Sequence, residues 1–400
     1  MIGAGVFAVF APAAAAAGWG LLLGLGIAAI IAYCNATASA QLAARYPESG
    51  GTYIYGRERL GRTWGFAAGW SFVIGKTASC AAMALTFAAY AAPPGLEKPI
   101  AAFAVAGLTF VNYFGVTRTA SLTRMLVVAS LLVLTLVVVA GLTAPAASVG
   151  VVSAGTMPAA WVLTPGFGGA YGILQSAGLL FFAFAGYARI ATMGEEVRNP
   201  TRTIPRAIII ALTLVVLLYA VVGIVALRTL GPTALSQSGA PLVDVALASG
   251  WEWTAPLVRL GAAAASLGAL LALIAGIGRT SLAMARERDL PRTLAAVHPR
   301  YRVPHRAELV LGATVSALVL IVDVRGAIAF SSFGVLLYYF IANLAAFTQD
   351  QPDRRFPRWL QVVGMTGCLV LVATLPPVGI MVGVIVLAVG IGGRFLIRNR

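Results

Sequence analysis

Two charged side chains, Lys76 and Arg189, lie within stretches otherwise apolar enough to cross a lipid bilayer. A charge at bilayer depth costs about 2.5–3.5 kcal/mol on insertion scales, so it is retained where it pairs, moves a proton or meets a substrate. Lys76 stands about twelve residues into its segment, which at ~1.5 Å per residue is near mid-bilayer. Arg189 follows Gly186 by three positions in FFAFAGYARIATMGEEVRNPTRTIPR. A helix that loosens in lipid frees backbone groups, and each must find a partner in a neighbouring helix, a cavity or a ligand. Gly3-Ala4-Gly5 and Phe184-Ala185-Gly186 are two such places. A half-helix end offers N–H groups to an anion and carbonyls to a cation, and a zwitterion needs both. For either break alone, close packing of helices on small residues is the competing reading. The two together, one with a charge beside it, favour a site.

Lys76 admits two readings: a group that takes and releases a proton, or a lysine paired within the bundle. Arg189 would sit near the positive end of an inner half-helix, where a cation is disfavoured and something must offset it. Glu196 is two turns on, too far for a direct i,i+4 pair. A gate residue, a contact to an acidic substrate and a structural anchor all remain open for Arg189. Glu195 and Glu196, with Arg198, Arg202 and Arg206 after them, form either a solvated membrane edge or an ion-paired latch. The only histidines, His298 and His305, share one basic loop, and Cys34, Cys80 and Cys368 fall in apolar segments without paired spacing. No metal site or disulfide is expected from these. No convergent set of acids and histidines suggests an enzyme, and no GxxxxGK[ST] stretch suggests ATP-driven work.

The elements that position these residues follow from composition. Of 400 residues, 60% are hydrophobic and 10% charged, against ~25% charged in soluble domains. At about 20 residues per crossing, the length holds roughly eleven or twelve spans. Residues 1–17 are short for a span and lack a basic region before them, so they read as the second half of a helix, not as a signal peptide. Either the true start lies upstream, or the product lacks half a gate. Further spans are expected at 20–42, 64–91, 99–116, 122–143, 168–193, 204–228, 253–283, 307–322, 326–347, 359–375 and 378–396. Residues 45–63 read as a basic, Gly-rich loop, and 229–251 as a loop with a short surface helix near 241–248. Placing the loops after spans 2, 4, 6, 8 and 10 and the C-terminus on one side collects all but six of the 28 Lys and Arg. That is the positive-inside pattern, with those loops cytoplasmic. Positive charge so distributed lies against lipid headgroups and is not a nucleic-acid footprint.

MIGAGVF, RYPESGGTYIYGRERLG, FFAFAGYARIATMGEEVRNPTRTIPRAI and RTSLAMARERDLP resemble the amino acid–polyamine–organocation permeases, closest to bacterial relatives of cationic amino acid transporters. The resemblance runs through the whole chain in order. It implies an all-α membrane fold like the leucine transporter's, a five-plus-five inverted repeat (1–143 and 168–347) followed by two further helices (359–396). It implies alternating-access carriage of an amino acid, as a proton-coupled symporter or an exchanger, with no cofactor. The substrate carboxylate would meet N–H groups around Ile2, Gly3, Ala4 and Gly5. Its amino group would meet carbonyls near Phe184, Ala185 and Gly186, with Tyr187 as a lid and Ser331, Ser332 and Phe333 approaching from span 10. Two departures bear on coupling. Ser130 stands where many relatives carry a lysine. Leu267 and Gly268 stand where sodium-dependent cousins carry hydroxyls, with only Ser266 nearby. The second argues against sodium, and the first removes the usual proton switch, which leaves Lys76 as the candidate proton carrier.

Overall fold

The computed structural model describes residues 2–46, 50–115, 120–144, 168–187 and 199–398. These residues are predominantly helical: α1 (Ala4–Ala8), α2 (Phe10–Ala17), α3 (Leu21–Arg45), α4 (Thr52–Leu60), α5 (Arg62–Ala91), α6 (Glu97–Tyr113), α7 (Ala120–Thr143) and α8 (Gly169–Phe184). The second half continues with α9 (Pro200–Gln237), α10 (Pro241–Ala248), α11 (Ala255–Arg286), α12 (His305–Ile321), α13 (Val324–Phe347), α14 (Arg358–Thr374) and α15 (Pro377–Arg398). Among the described residues, seven helical stretches are long and apolar enough to cross a membrane. Fewer qualify than the expected spans for reasons of length. The run Phe10–Arg45 carries two expected spans as one stretch, and α6, α12 and α14 have 17 residues each.

Two expected loops are partly helical. Within 45–63, α4 forms because Tyr53 and Tyr55 are fully buried, so tertiary packing overrides the glycine content. The glycines instead bracket the helix, Gly51 at φ 57° and Gly61 at φ 100°, conformations a side chain would resist. Within 229–251, α9 continues to Gln237 across a kink at Gly231, φ 72°, ahead of Pro232. The short helix expected near 241–248 is α10.

Helices α5 and α13 form the centre. In their most apolar windows 72% and 78% of residues are buried, against 17% for peripheral α15. Small residues allow this. A Cβ on Gly334 would lie 2.6 Å from the Ser71 carbonyl oxygen and 2.8 Å from Gly75 Cα. Lipid offers no hydrophobic drive between helices, so close backbone contact and interhelical hydrogen bonds hold the bundle. Asn343 Nδ2 donates to Asn35 Oδ1 at 2.6 Å, and Gln41 Nε2 to Gln349 Oε1 at 2.7 Å, tying α3 to α13 and its C-terminal end. All three cysteines are free and buried, packing as small apolar side chains.

At one end of the bundle, α4, the end of α11 and α15 meet on Asp289. Its carboxylate accepts from Arg394 Nε at 2.8 Å, Tyr53 Oη at 2.9 Å and Arg57 Nη1 at 3.4 Å. Burial, then the charge of Asp289, pushes the Tyr53 hydroxyl above its ordinary pKa, so it stays a donor. Asp289 and Arg394 are 6% and 5% exposed. Removing one partner of a buried pair costs about 3–5 kcal/mol because the other charge is left uncompensated. Asp289→Ala is therefore expected to lower the apparent thermal unfolding midpoint in detergent, whereas removing an exposed partner, as in Glu287→Ala, leaves it nearly unchanged. Equal midpoints would show that this contact does not hold the three elements together.

Candidate functional site

The α-helical course of α8 ends at Phe184 and tightens into a 3-10 turn over Ala185–Tyr187. A helix end leaves its last carbonyls without intrahelical donors, a serious cost away from water. Two of them are met by side chains from other helices. Tyr219 Oη on α9 donates to the Ala183 carbonyl at 3.3 Å, and Lys76 Nζ on α5 donates to the Ala185 carbonyl at 3.1 Å. Lys76 is 6% exposed and, among the described residues, has no carboxylate partner. Its ammonium is held by a backbone dipole.

Facing this end is the start of α1. Gly3 is extended, with φ −167° and ψ −154°, and Ala4 begins the helix. A backbone bond from Val9 N to the Gly5 carbonyl, and another from Ala13 N to the Val9 carbonyl, carry the chain on into α2. The first N–H groups of a helix have no acceptor within it. Gly5 also makes close contact: a Cβ there would lie 2.9 Å from both Cα and Cβ of Ala183. The glycine thus serves packing as well as exposing backbone.

Between the two ends lies a cavity of about 210 Å³. Of the residues singled out in the sequence, Ile2, Gly3, Ala4, Gly5, Ala185, Gly186, Lys76 and Ser130 line it together. Ser130 Oγ is turned back onto the Leu126 carbonyl at 2.7 Å. Phe184 is buried behind it against Tyr219, ring centroids 5.3 Å apart, and Tyr187 closes the 3-10 turn. From α13, Ser331 reaches the wall only through Ser79, a lining residue, by a 2.6 Å hydroxyl–hydroxyl bond. Ser332 is buried with its Oγ unpartnered, and Phe333 packs behind it, close to Gly383. Neither lines the cavity. Ser266 is likewise buried with an unpartnered Oγ, while Gly268 is on the wall. Arg189, Glu195 and Glu196 lie outside the described residues.

Sequence reasoning missed Phe72, Ser79 and Met83, which share the cavity with Lys76. The signal was present in the 4-3-4 spacing of 72, 76, 79 and 83, one face of a helix. The small stripe Ala265, Gly268/Ala269, Ala272 and Gly276 on α11 repeats the pattern. A larger groove, about 890 Å³, runs beside α5, α12, α13 and α15, but it reaches neither Gly3–Gly5 nor Ala185 and its walls are mainly aliphatic. The smaller cavity is the one with converging polar groups.

An all-helical bundle crossing the membrane many times, with helix ends meeting at a small inner cavity, has the architecture of a membrane carrier. Residues 1–389 match the family Amino acid permease, and the chain belongs to that family, within the amino acid–polyamine–organocation superfamily. It is 55% identical over 403 residues to an uncharacterized transporter of Mycobacterium tuberculosis (strain ATCC 25618 / H37Rv), covering 100% of this chain and 89% of that protein. It is 24% identical over 392 residues to the branched-chain amino acid permease BcaP of Bacillus subtilis (strain 168), covering 91% and 81%. It is 28% identical over 371 residues to the chloroplastic cationic amino acid transporter 7 of Arabidopsis thaliana, covering 87% and 62%. The chain is an amino acid transporter embedded in a membrane, not an enzyme.

The Gly5–Ala183 contact carries a prediction. Gly5→Ala pushes α1 off α8, with overpacking strain of about 1–3 kcal/mol. Amino acid uptake should fall at least about tenfold, the equivalent of ~1.4 kcal/mol. Gly26→Ala, where a Cβ meets open space, should leave uptake intact. Undiminished uptake by Gly5→Ala would show that the two ends need not meet closely.

Proposed function

We propose that this chain is a secondary active permease that moves an amino acid across the plasma membrane by alternating access, coupled to a proton. The observation that carries the reading is the Lys76–Ala185 hydrogen bond on the wall of the cavity. The cavity joins a helix start, which suits a carboxylate, to a helix end, which suits an ammonium. The substrate carboxylate is assigned to Gly3, Ala4 and Gly5, and its amino group to Ala185 and Gly186. Residues 1–143 and 168–347 are read as the two inverted repeats, with 359–396 added after them. Interrupted helices at matching places in two halves are the usual mark of a midplane transport site.

Lys76 is read as the proton carrier. Its ammonium fills the carbonyl that a substrate ammonium would need, so loading the site and releasing the Lys76 contact are linked events. Leu267 and Gly268 carry no hydroxyl and leave Ser266 alone where a sodium site would need a pair, which favours proton over sodium coupling. The excess of Lys and Arg in the loops after spans 2, 4, 6, 8 and 10 supports a cytoplasmic reading of those loops and the C-terminus. Arg189, Glu195 and Glu196 are assigned to the gate on that side. The relatives' names divide between branched-chain and cationic amino acids, so they do not fix the side chain carried.

Uptake of labelled amino acid into proteoliposomes, with and without an imposed pH gradient, tests the coupling. The wild-type protein should accumulate substrate only with the gradient, and Lys76→Gln should lose that dependence while still exchanging substrate across the membrane. A Lys76→Gln profile identical to wild type across pH removes Lys76 from the mechanism. Wild-type uptake that requires amino acid preloaded inside the liposomes and ignores the pH gradient would identify an exchanger instead.

A further inference from the structure

The cavity has a definite size and a definite charge, and together they restrict its occupant. Its 210 Å³ lies below the ~300–1,000 Å³ of pockets for drug-sized ligands. Beyond the two helix ends its wall is apolar, formed by Phe72, Met83, Leu126, Val127, Phe182 and Leu273. Lys76, Ser79 and Ser130 are the polar side chains on the described wall. Their hydrogen bonds are already made: Lys76 to Ala185, Ser79 to Ser331, Ser130 to Leu126. Among the described lining residues there is no carboxylate, and the one formal charge is positive. A guanidinium or second ammonium entering here would meet like charge and no acceptor side chain able to balance it.

We propose that the site selects small amino acids with uncharged side chains, of the size of alanine to valine, and rejects arginine and lysine. Lys76 is the charge filter, and Met83 and Leu273 help set the size limit. This selectivity rests on the permease reading of the same cavity. An apolar wall discriminates by about 10–200-fold per methylene, so the limit should be sharp but not absolute.

Competition against labelled alanine in proteoliposomes tests it. Serine and valine in tenfold excess should cut alanine uptake at least about fivefold, while arginine, lysine and phenylalanine change it less than about twofold. Met83→Ala and, separately, Leu273→Ala clear the wall and should improve competition by leucine at least about tenfold. Arginine or lysine competing as well as alanine overturns the charge filter while the permease reading stands. Phenylalanine competing as well as alanine in the wild type, or both variants leaving leucine competition unchanged, overturns the size limit. Thermal unfolding of the monodisperse protein with each amino acid added supplies the second readout. If no amino acid of the panel enters the liposomes and none raises the unfolding midpoint, the permease reading fails and the selectivity with it.

Discussion

A helix that stops inside a bilayer leaves carbonyl oxygens that lipid cannot satisfy, and much of this bundle is arranged around meeting that demand. At the end of α8 the Ala183 and Ala185 carbonyls are answered by Tyr219 and Lys76. The second answer places a full positive charge beside a backbone dipole at the wall of a cavity. Neither partner would be tolerated alone at that depth. An unpaired carbonyl is costly there, and an ammonium without an acceptor is more so. Each makes the other acceptable, and either can be released only when something else takes its place.

In the proposed transport cycle that exchange gives the site its functional character: a zwitterion would bring its own ammonium for the carbonyl and its own carboxylate for the N–H groups at the start of α1. The surrounding helices keep these ends in register. Gly5 lets α1 lie against Ala183, and Gly75 and Gly334 let α5 and α13 approach at backbone distance, which fixes where Lys76 points. The Asp289 cluster, joining α4, the end of α11 and α15, sits away from the cavity yet fastens α5 through its neighbouring helix α4.

Much of this was legible in the sequence. The order of the helices, the end of regular helix near Ala185-Gly186 and Lys76 as a charge within an apolar run could all be read from hydropathy and spacing, whereas Ala4 and Gly5, expected in a break, lie within α1. These features are local, and lipid punishes exceptions to them. The helix α4 was not legible, because its glycines and charges describe a loop until the burial of Tyr53 and Tyr55 is known. Ser79 and Met83 were hidden for another reason: a hydroxyl and a thioether in an apolar run look ordinary until a charge on the same face gives them a direction. The α13 residues Ser331, Ser332 and Phe333 show the reverse. Resemblance brought them towards the cavity, yet the packing of α5 leaves only Ser331 near it, through Ser79. Asp289, Arg57 and Arg394 are separated by hundreds of positions, and charge alone did not pair them.

The most direct measurement is a cryo-electron microscopy structure of the protein in lipid nanodiscs at saturating alanine. The expected result is ligand density between Gly3–Gly5 and Ala185–Gly186, with Lys76 Nζ within ~3 Å of the Ala185 carbonyl or of the ligand. An unbroken α-helix through 184–187, with Lys76 turned to another helix and no ligand between the two ends, would contradict it.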